Sequence, residues 1–139
     1  YYPVLAGVSS IEDGRRRLDA GWSRFVIDGL GCRCVADEPW VTAAETAELA
    51  LACAAAGWPK RARRLIADLQ PLSAPGGGYW MGWQFAEECI WPQEQPGWTT
   101  AAVMLAADAI EGLSPGSDLL IAPLPDDPVR RRGGELPAF

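Results

Sequence analysis

The chain has no histidine among its 139 residues, so a metal site that calls on Asp, Cys and His together cannot be complete within it. No apolar run free of charge approaches the ~20 residues that would span a bilayer. No signal-peptide pattern opens the chain. There is no basic stripe either. Twelve Lys and Arg face eighteen Asp and Glu, a net charge of −6, and that balance excludes the electrostatic footprint of a nucleic-acid binder. The four cysteines, Cys32, Cys34, Cys53 and Cys89, lack the paired C-x-x-C knuckles of a structural zinc site. With no sign of secretion they imply free thiols and a cytoplasmic protein. The first residue is Tyr rather than Met, which suggests a fragment or a processed product.

What is present suits a buried core: 49% of residues are apolar and 22% charged. Helical periodicity with stop and start signals places helices near 10–24, 42–56, 59–70 and 99–111. Ser10 caps the first, with Glu12 and Asp13 in its opening turn. Thr42 and Glu45 form a T-x-x-E capping box before the second, and Gly57 stops it. Pro59 is preset for the first turn of the third. The short link between the second and third makes them an αα-hairpin. "VIDGLGCRCV" reads as a turn with a brief extended piece, and "YWMGWQF" as a short strand or a packed loop. The expectation is an all-α fold: a helical-hairpin domain over 1–112, followed by an extended, partly disordered, proline-rich tail over 113–139.

A repeat underlies the helices. "WVTAAETAELALA" and "WTTAAVMLAADAI" align without a gap at an offset of 58 residues, Trp40 on Trp98 and Thr42 on Thr100. Two alanine-rich helices beginning at one mouth would bring together Asp37, Glu38, Trp40 and Glu45 from one unit and Glu94, Trp98 and Thr100 from the other. Between them, "GGGYWMGWQFAEECIWPQEQPGW" holds four of the seven tryptophans, with Tyr79, Trp80 and Trp83 close together. Such aromatics either wedge hairpins apart as packing anchors or line a ligand cavity.

"APGGGYWMGWQFAEECIWPQEQPGWTTAAVMLAADAI" and "GCRCVADEPWVTAAETAEL" resemble the C-terminal part of actinobacterial prenyltransferase-like proteins. Those are similar to the α/α-toroid proteins with prenyltransferase and squalene-cyclase repeats. The resemblance implies a partial α/α toroid and an isoprenoid or diphosphate substrate, hence a transferase or terpene cyclase. On the mouth geometry of the repeat and the aromatic run, Asp37, Glu45 and Glu94 are the candidate acids, and Trp40, Tyr79, Trp80, Trp83 and Trp98 the candidate ligand wall. No cofactor is evident, and magnesium is implied only for a diphosphate substrate. The chain departs from the family in having neither the D-x-D-D run of the cyclases nor D-D-x-x-D. The nearest text is "DDPVR" at 126–130. A full toroid also needs more hairpins than this chain supplies, so missing N-terminal hairpins or self-association is implied. The alternatives are a carbohydrate-active α/α-barrel relative, with tryptophans stacking on sugar rings and a carboxylate pair as acid and base, or a non-catalytic helical-repeat interaction module.

Overall fold

The alanine-rich stretch after Trp40 is the centre of the molecule. A computed structural model of the protein describes residues 1–121, and in it this stretch is helix α3, Ala43–Ala55, following α1 (Tyr2–Leu5) and α2 (Ile11–Phe25). A helix this rich in alanine and leucine, with Glu45 and Glu48 its only charged residues, has to be covered on most of its surface. Ala47, Ala50, Ala52 and Cys53 are fully buried, and α3 packs between α4 (Pro59–Asp68) and α5 (Gly97–Glu111). One flank, with Leu49, Ala50 and Cys53, joins Leu18, Cys32, Ala62 and Leu65. The other, with Ala43, Ala47 and Leu51, joins Leu69, Leu72, Val103 and Ala106. Small side chains on α3 let its neighbours approach closely, and the large ones come from the partners. Leu65 and Leu69 are almost wholly buried, each worth roughly 1.5–3 kcal/mol.

The helix ends follow from local chemistry. Ser10 Oγ accepts the Asp13 amide at 3.1 Å and donates to the Asp13 carboxylate at 2.7 Å. Hydrogen bonds from Ser10 and Arg16 hold that carboxyl below its usual range. After α3 the chain turns through Gly57, whose φ of 75° is left-handed, and the Trp58 amide returns to the Cys53 carbonyl at 2.8 Å. Arg15 of α2 donates to the Ala56 carbonyl at 2.6 Å, where a cation suits the negative end of the helix. On the wet face of α4, Arg61 lies between the rings of Trp22 and Trp58, at 4.5 and 4.2 Å, and pairs with Asp19 at 2.7 Å.

The fold is not all-α. Five short strands form one antiparallel sheet in sequence order: β1 (Val26–Ile27), β2 (Gly31–Arg33), β3 (Trp40–Thr42), β4 (Gly82–Gln84) and β5 (Cys89–Ile90). The expected all-α toroid segment is therefore corrected to a mixed α/β architecture. The reason is pairing between distant residues. Trp40 to Thr42 pair with Gln84 to Gly82, across α3, α4 and their connections. Three-residue strands are too short to show alternation, and their partners lie far away in sequence. Thr42 is accordingly a strand residue. Its hydroxyl donates to the Glu45 carboxylate rather than accepting a helix amide, so the expected capping box does not form. The Ala43 amide, which no Thr42 cap would reach, donates to the Met81 carbonyl at 2.9 Å.

Thr46 ties sheet to helix. Wholly buried, it donates to the Thr42 carbonyl at 2.6 Å and accepts the Cys32 amide at 2.8 Å. Gly31 makes room for it: φ there is 120°, and a Cβ would stand 2.5 Å from Thr46 Oγ1. The segment before β4 likewise gathers two helix starts at one end. Met81 bonds to Ala43 of α3 and to the Glu94 carbonyl, and the Tyr79 amide donates to Thr100 Oγ1 of α5 at 3.1 Å. Beyond α5, Ser117–Leu120 forms a 3-10 turn against that helix. The rest of the expected tail, with "DDPVR" at 126–130, lies outside the described residues. Among the described residues no helix is long and apolar enough to cross a membrane.

Candidate functional site

Strand register sorts the aromatic run. Paired residues of an antiparallel sheet project to one face, and the next residue along each strand projects to the other. Trp40 pairs with Gln84, and Gln84 with Cys89. Extending the β2–β3 register by one residue sets Cys34 beside Trp40. This row floors a cleft of about 520 Å³, within the usual range for small-molecule sites. The alternate row, Val41, Trp83 and Ile90, faces the other way. Val41 is wholly buried, and Trp83 packs on the second core cluster with Tyr79 and Trp80. Three of the five expected ligand-wall aromatics therefore pack against the core.

The cleft walls are two loops. The β2–β3 loop supplies Val35, Glu38 and Pro39, and the β4–β5 hairpin supplies Glu87 and, just beyond, Trp91. The Phe85 amide donates to the Pro39 carbonyl at 2.9 Å, which fixes one loop to the other. Gln84 Oε1 accepts the amides of Ala86 at 2.7 Å and Glu87 at 2.8 Å, closing the hairpin turn. That turn ends at Glu88, at φ 53° the one non-glycine residue with positive φ among the described residues.

Trp40 is immobilised. Its Nε1–H donates to the Trp91 carbonyl at 2.7 Å, and the two rings meet edge to face at 5.3 Å and 74°. Beneath it lies Gly82, where a Cβ would stand 2.5 Å from Trp40 Nε1 and would also strike the Val41 carbonyl. Trp40 is half-buried and Trp91 is exposed, so the pair presents apolar surface to the cleft. A fixed indole next to Glu38 and Glu87 provides a flat apolar platform with acceptors at its edge, the pattern that suits a sugar ring.

The other expected residues do not converge here. Asp37 is 91% exposed and stands 3.7 Å from Arg24. Glu94 is exposed and contributes its backbone carbonyl, and Trp98 is 57% exposed on the first turn of α5. Glu45 faces a second cavity, of about 400 Å³, together with Tyr1, Trp22, Phe25 and Arg17. Nearby, Tyr1 and Tyr2 both donate to Glu48 Oε2, at 2.8 and 3.0 Å. Burial first, then hydrogen bonding to Tyr2 and Glu48, pushes the Tyr1 phenol well above its ordinary pKa. All four cysteines are free. Burial pushes Cys32 and Cys53 up to about 12, and burial followed by the Glu45 carboxylate raises Cys34. Among the described residues no group of three or more His, Cys, Asp or Glu is placed to hold a metal ion. Sequence reasoning missed Trp91, Gln84 and Glu87 as cleft residues. Period-two alternation through "GWQ" was the available signal, but three residues of it say nothing about which face is wet.

No family model matches the chain. It is 45% identical over 119 residues, 86% of its length, to a protein of Mycolicibacterium hassiacum named MMP endo-(1,4)-3-O-methyl-alpha-D-mannosidase. It spans about a third (33%) of that protein. The relative bears a glycosidase name, and this overturns the prenyltransferase resemblance together with the transferase and terpenoid function it implied. The likeness to toroid prenyltransferases rested on alanine-rich helices and glycine-flanked aromatics. Packing favours such text in many helical folds, and it carries no prenyl chemistry.

Proposed function

We propose that the chain is part of a glycoside hydrolase acting on α-linked mannosides, and that the cleft over β3–β5 holds sugar rings of the substrate. The observation that carries this is the Trp40 platform, pinned by Trp91 and seated on Gly82 beside the acids of two loops. The glycosidase name of the relative supports it. Sugars present an apolar face of C–H groups and an equator of hydroxyls. Trp40 and Trp91 serve the face, and the Glu38 and Glu87 carboxylates accept from the hydroxyls. Glycoside hydrolysis classically needs two carboxyl groups flanking the bond, one to protonate the leaving oxygen and one to attack or to activate water. Among the described residues, Glu38 on one loop and Glu87 on the hairpin are the acids that line the cleft, with Glu88 next to Glu87 in the chain. Asp37 and Glu94 stand outside its lining, and Glu45 belongs to the other cavity. The substrate is a small-molecule carbohydrate, and the four free thiols support a reducing, cytoplasmic setting.

The test is hydrolysis of α-1,4-linked mannose oligosaccharides, methylated and plain, by the intact protein. Trp40→Ala is expected to raise KM at least tenfold, with Trp98→Ala close to wild type. If no α-mannoside is cleaved, or if Trp40→Ala and Trp91→Ala leave KM and kcat unchanged, the proposal fails.

A further inference from the structure

Helix α5 carries no charged residue from Gly97 to Ala107, so its outward face is as free of charge as its inward one. Inward, Val103, Ala106 and Ala109 join the cluster with Ala43, Ala47 and Leu51 of α3. Outward, helical spacing sets Trp98, Ala101, Met104 and Leu105 on one face. Trp98, Met104 and Leu105 are 57%, 66% and 50% exposed, and nothing among the described residues covers them. Leu113 and Leu119, past the end of the helix, are more exposed still. Helix α3, which aligns with α5 in sequence, has α4 on one flank and α5 on the other, whereas α5 is covered on one side alone. A helix apolar all round is ordinarily buried. Its bare side amounts to several hundred Å², more than scattered surface residues account for, and it approaches the roughly 800 Å² that each partner brings to a standard interface.

The geometry points to a second copy of this chain as the occupant, with two α5 helices packed antiparallel across a two-fold axis. The face is complementary to itself. With the axis level with Val103, the small Ala101 of each helix meets the large Leu105 of the other, a ridge set into a groove. The start of α5, which no side chain caps, then lies toward the partner's acidic end, where Asp108 and Glu111 stand. Negative charge is favourable near a helix start. A parallel pair would instead set those acids against each other. The uncharged face also offers a charged partner nothing to pair with. None of these residues lines the cleft, so the pairing stands whether or not sugar binds there.

Sedimentation velocity of the full chain over a range of concentrations is expected to show a reversible monomer–dimer equilibrium. Leu105→Glu sets a charge into both halves of the pair and should raise the dimer dissociation constant at least about tenfold. Circular dichroism and the melting temperature of the monomer should be kept, since Leu105 is half exposed. Ala101→Lys, also at an exposed position, should weaken the dimer in the same way. An equimolar mixture of the two variants brings the new carboxylate beside the new ammonium and should restore association. A chain that stays monomeric up to millimolar concentration would overturn the dimer. A monomer in which peroxide spares Met104 would assign the face to another stretch of the same chain, and so overturn it too. A dimer that survives both substitutions, or a mixture that associates no better than either variant alone, would refute the antiparallel α5 contact.

Discussion

Replacing Gly82 by alanine should damage both the sheet and the cleft, and the structure shows how much. Gly82 is buried on β4. A Cβ there would stand 2.5 Å from Trp40 Nε1 and 3.1 Å from Trp40 Cε2, and would meet the Val41 carbonyl as well. The carbonyl belongs to the β3 backbone and cannot rotate away, so β3 and β4 must part locally and the indole must move with them. Overpacking of this kind costs roughly 1–3 kcal/mol. Displacing the ring also breaks the bond from Trp40 Nε1 to the Trp91 carbonyl, a further ~0.5–1.5 kcal/mol. Because the two losses share one movement they will not simply add, and a destabilisation of about 1.5–4 kcal/mol is expected. Urea unfolding measures it directly, and a melting-temperature drop of at least about 6 °C should accompany it. Gly97→Ala is the control, since a Cβ there meets nothing within 4 Å. With the indole displaced, oligosaccharide affinity should fall as far as it does in Trp40→Ala. If Gly82→Ala unfolds within about 0.5 kcal/mol of wild type and binds sugar normally, Trp40 is not seated as described.

Two other perturbations test the core. Thr46→Val keeps the shape of the side chain but removes the acceptor for the buried Cys32 amide. It should cost about 1–3 kcal/mol and speed exchange of that amide with deuterium; an unchanged exchange rate would contradict the bridge. Alkaline pH should also destabilise the fold through its buried thiols. Cys32 and Cys53 ionise near 12 when folded, against an ordinary value of 9.0. Between those values the unfolded chain has lost protons that the native state still holds, so stability falls as pH rises, by about 1.4 kcal/mol per pH unit for each thiol. The loss should begin near pH 9 and flatten near 12, and Cys53→Ala should lessen its slope in urea titrations. A slope unaffected by that change would mean that Cys53 ionises as freely folded as unfolded.

The helices were legible because their signals are local. Expected spans of 10–24, 42–56, 59–70 and 99–111 compare with Ile11–Phe25, Ala43–Ala55, Pro59–Asp68 and Gly97–Glu111. Ser10, Gly57 and Pro59 act within a turn or so of themselves and mark those ends in the text, as does Gly112, left-handed at φ 65° after α5. Two brief extended pieces of the sheet, in "VIDGLGCRCV" and "YWMGWQF", were legible, but its pairing was not, for the opposite reason. The β3–β4 pairing is a contact between "WVT" and "GWQ", with about forty residues of helix and turn between them. Nothing within either triplet names the other. The T-x-x-E text before α3 was open to two local readings, and tertiary pairing chose the strand. Strand pairing gives Thr42 extended backbone, and its hydroxyl bonds the Glu45 carboxylate while leaving the amides of the first helical turn uncapped.

The site was half legible for a related reason. Composition could say that the run from Tyr79 to Trp98 is unusual in its aromatics, but the division of labour within it depends on which face of β4 meets the core. Trp83 and Gln84 are neighbours in the chain, and yet one is a core wedge and the other part of a cleft floor. The question whether such a run folds the protein or binds a ligand therefore has no single answer at the level of the run. Tyr79, Trp80 and Trp83 hold the sheet to α3 and α5, and by doing so they fix the strand register that sets Trp40 over Gly82. Under the proposed function, the packing aromatics pre-position the aromatics of the cleft. If sugar binds there as proposed, a platform made this way needs no rearrangement on binding, which lowers the ordering cost that weakens recognition by mobile side chains. It also predicts a coupling: substitutions such as Trp83→Leu, far from any sugar on the other face of the sheet, should weaken oligosaccharide binding through displacement of Trp40 and not through a lost contact.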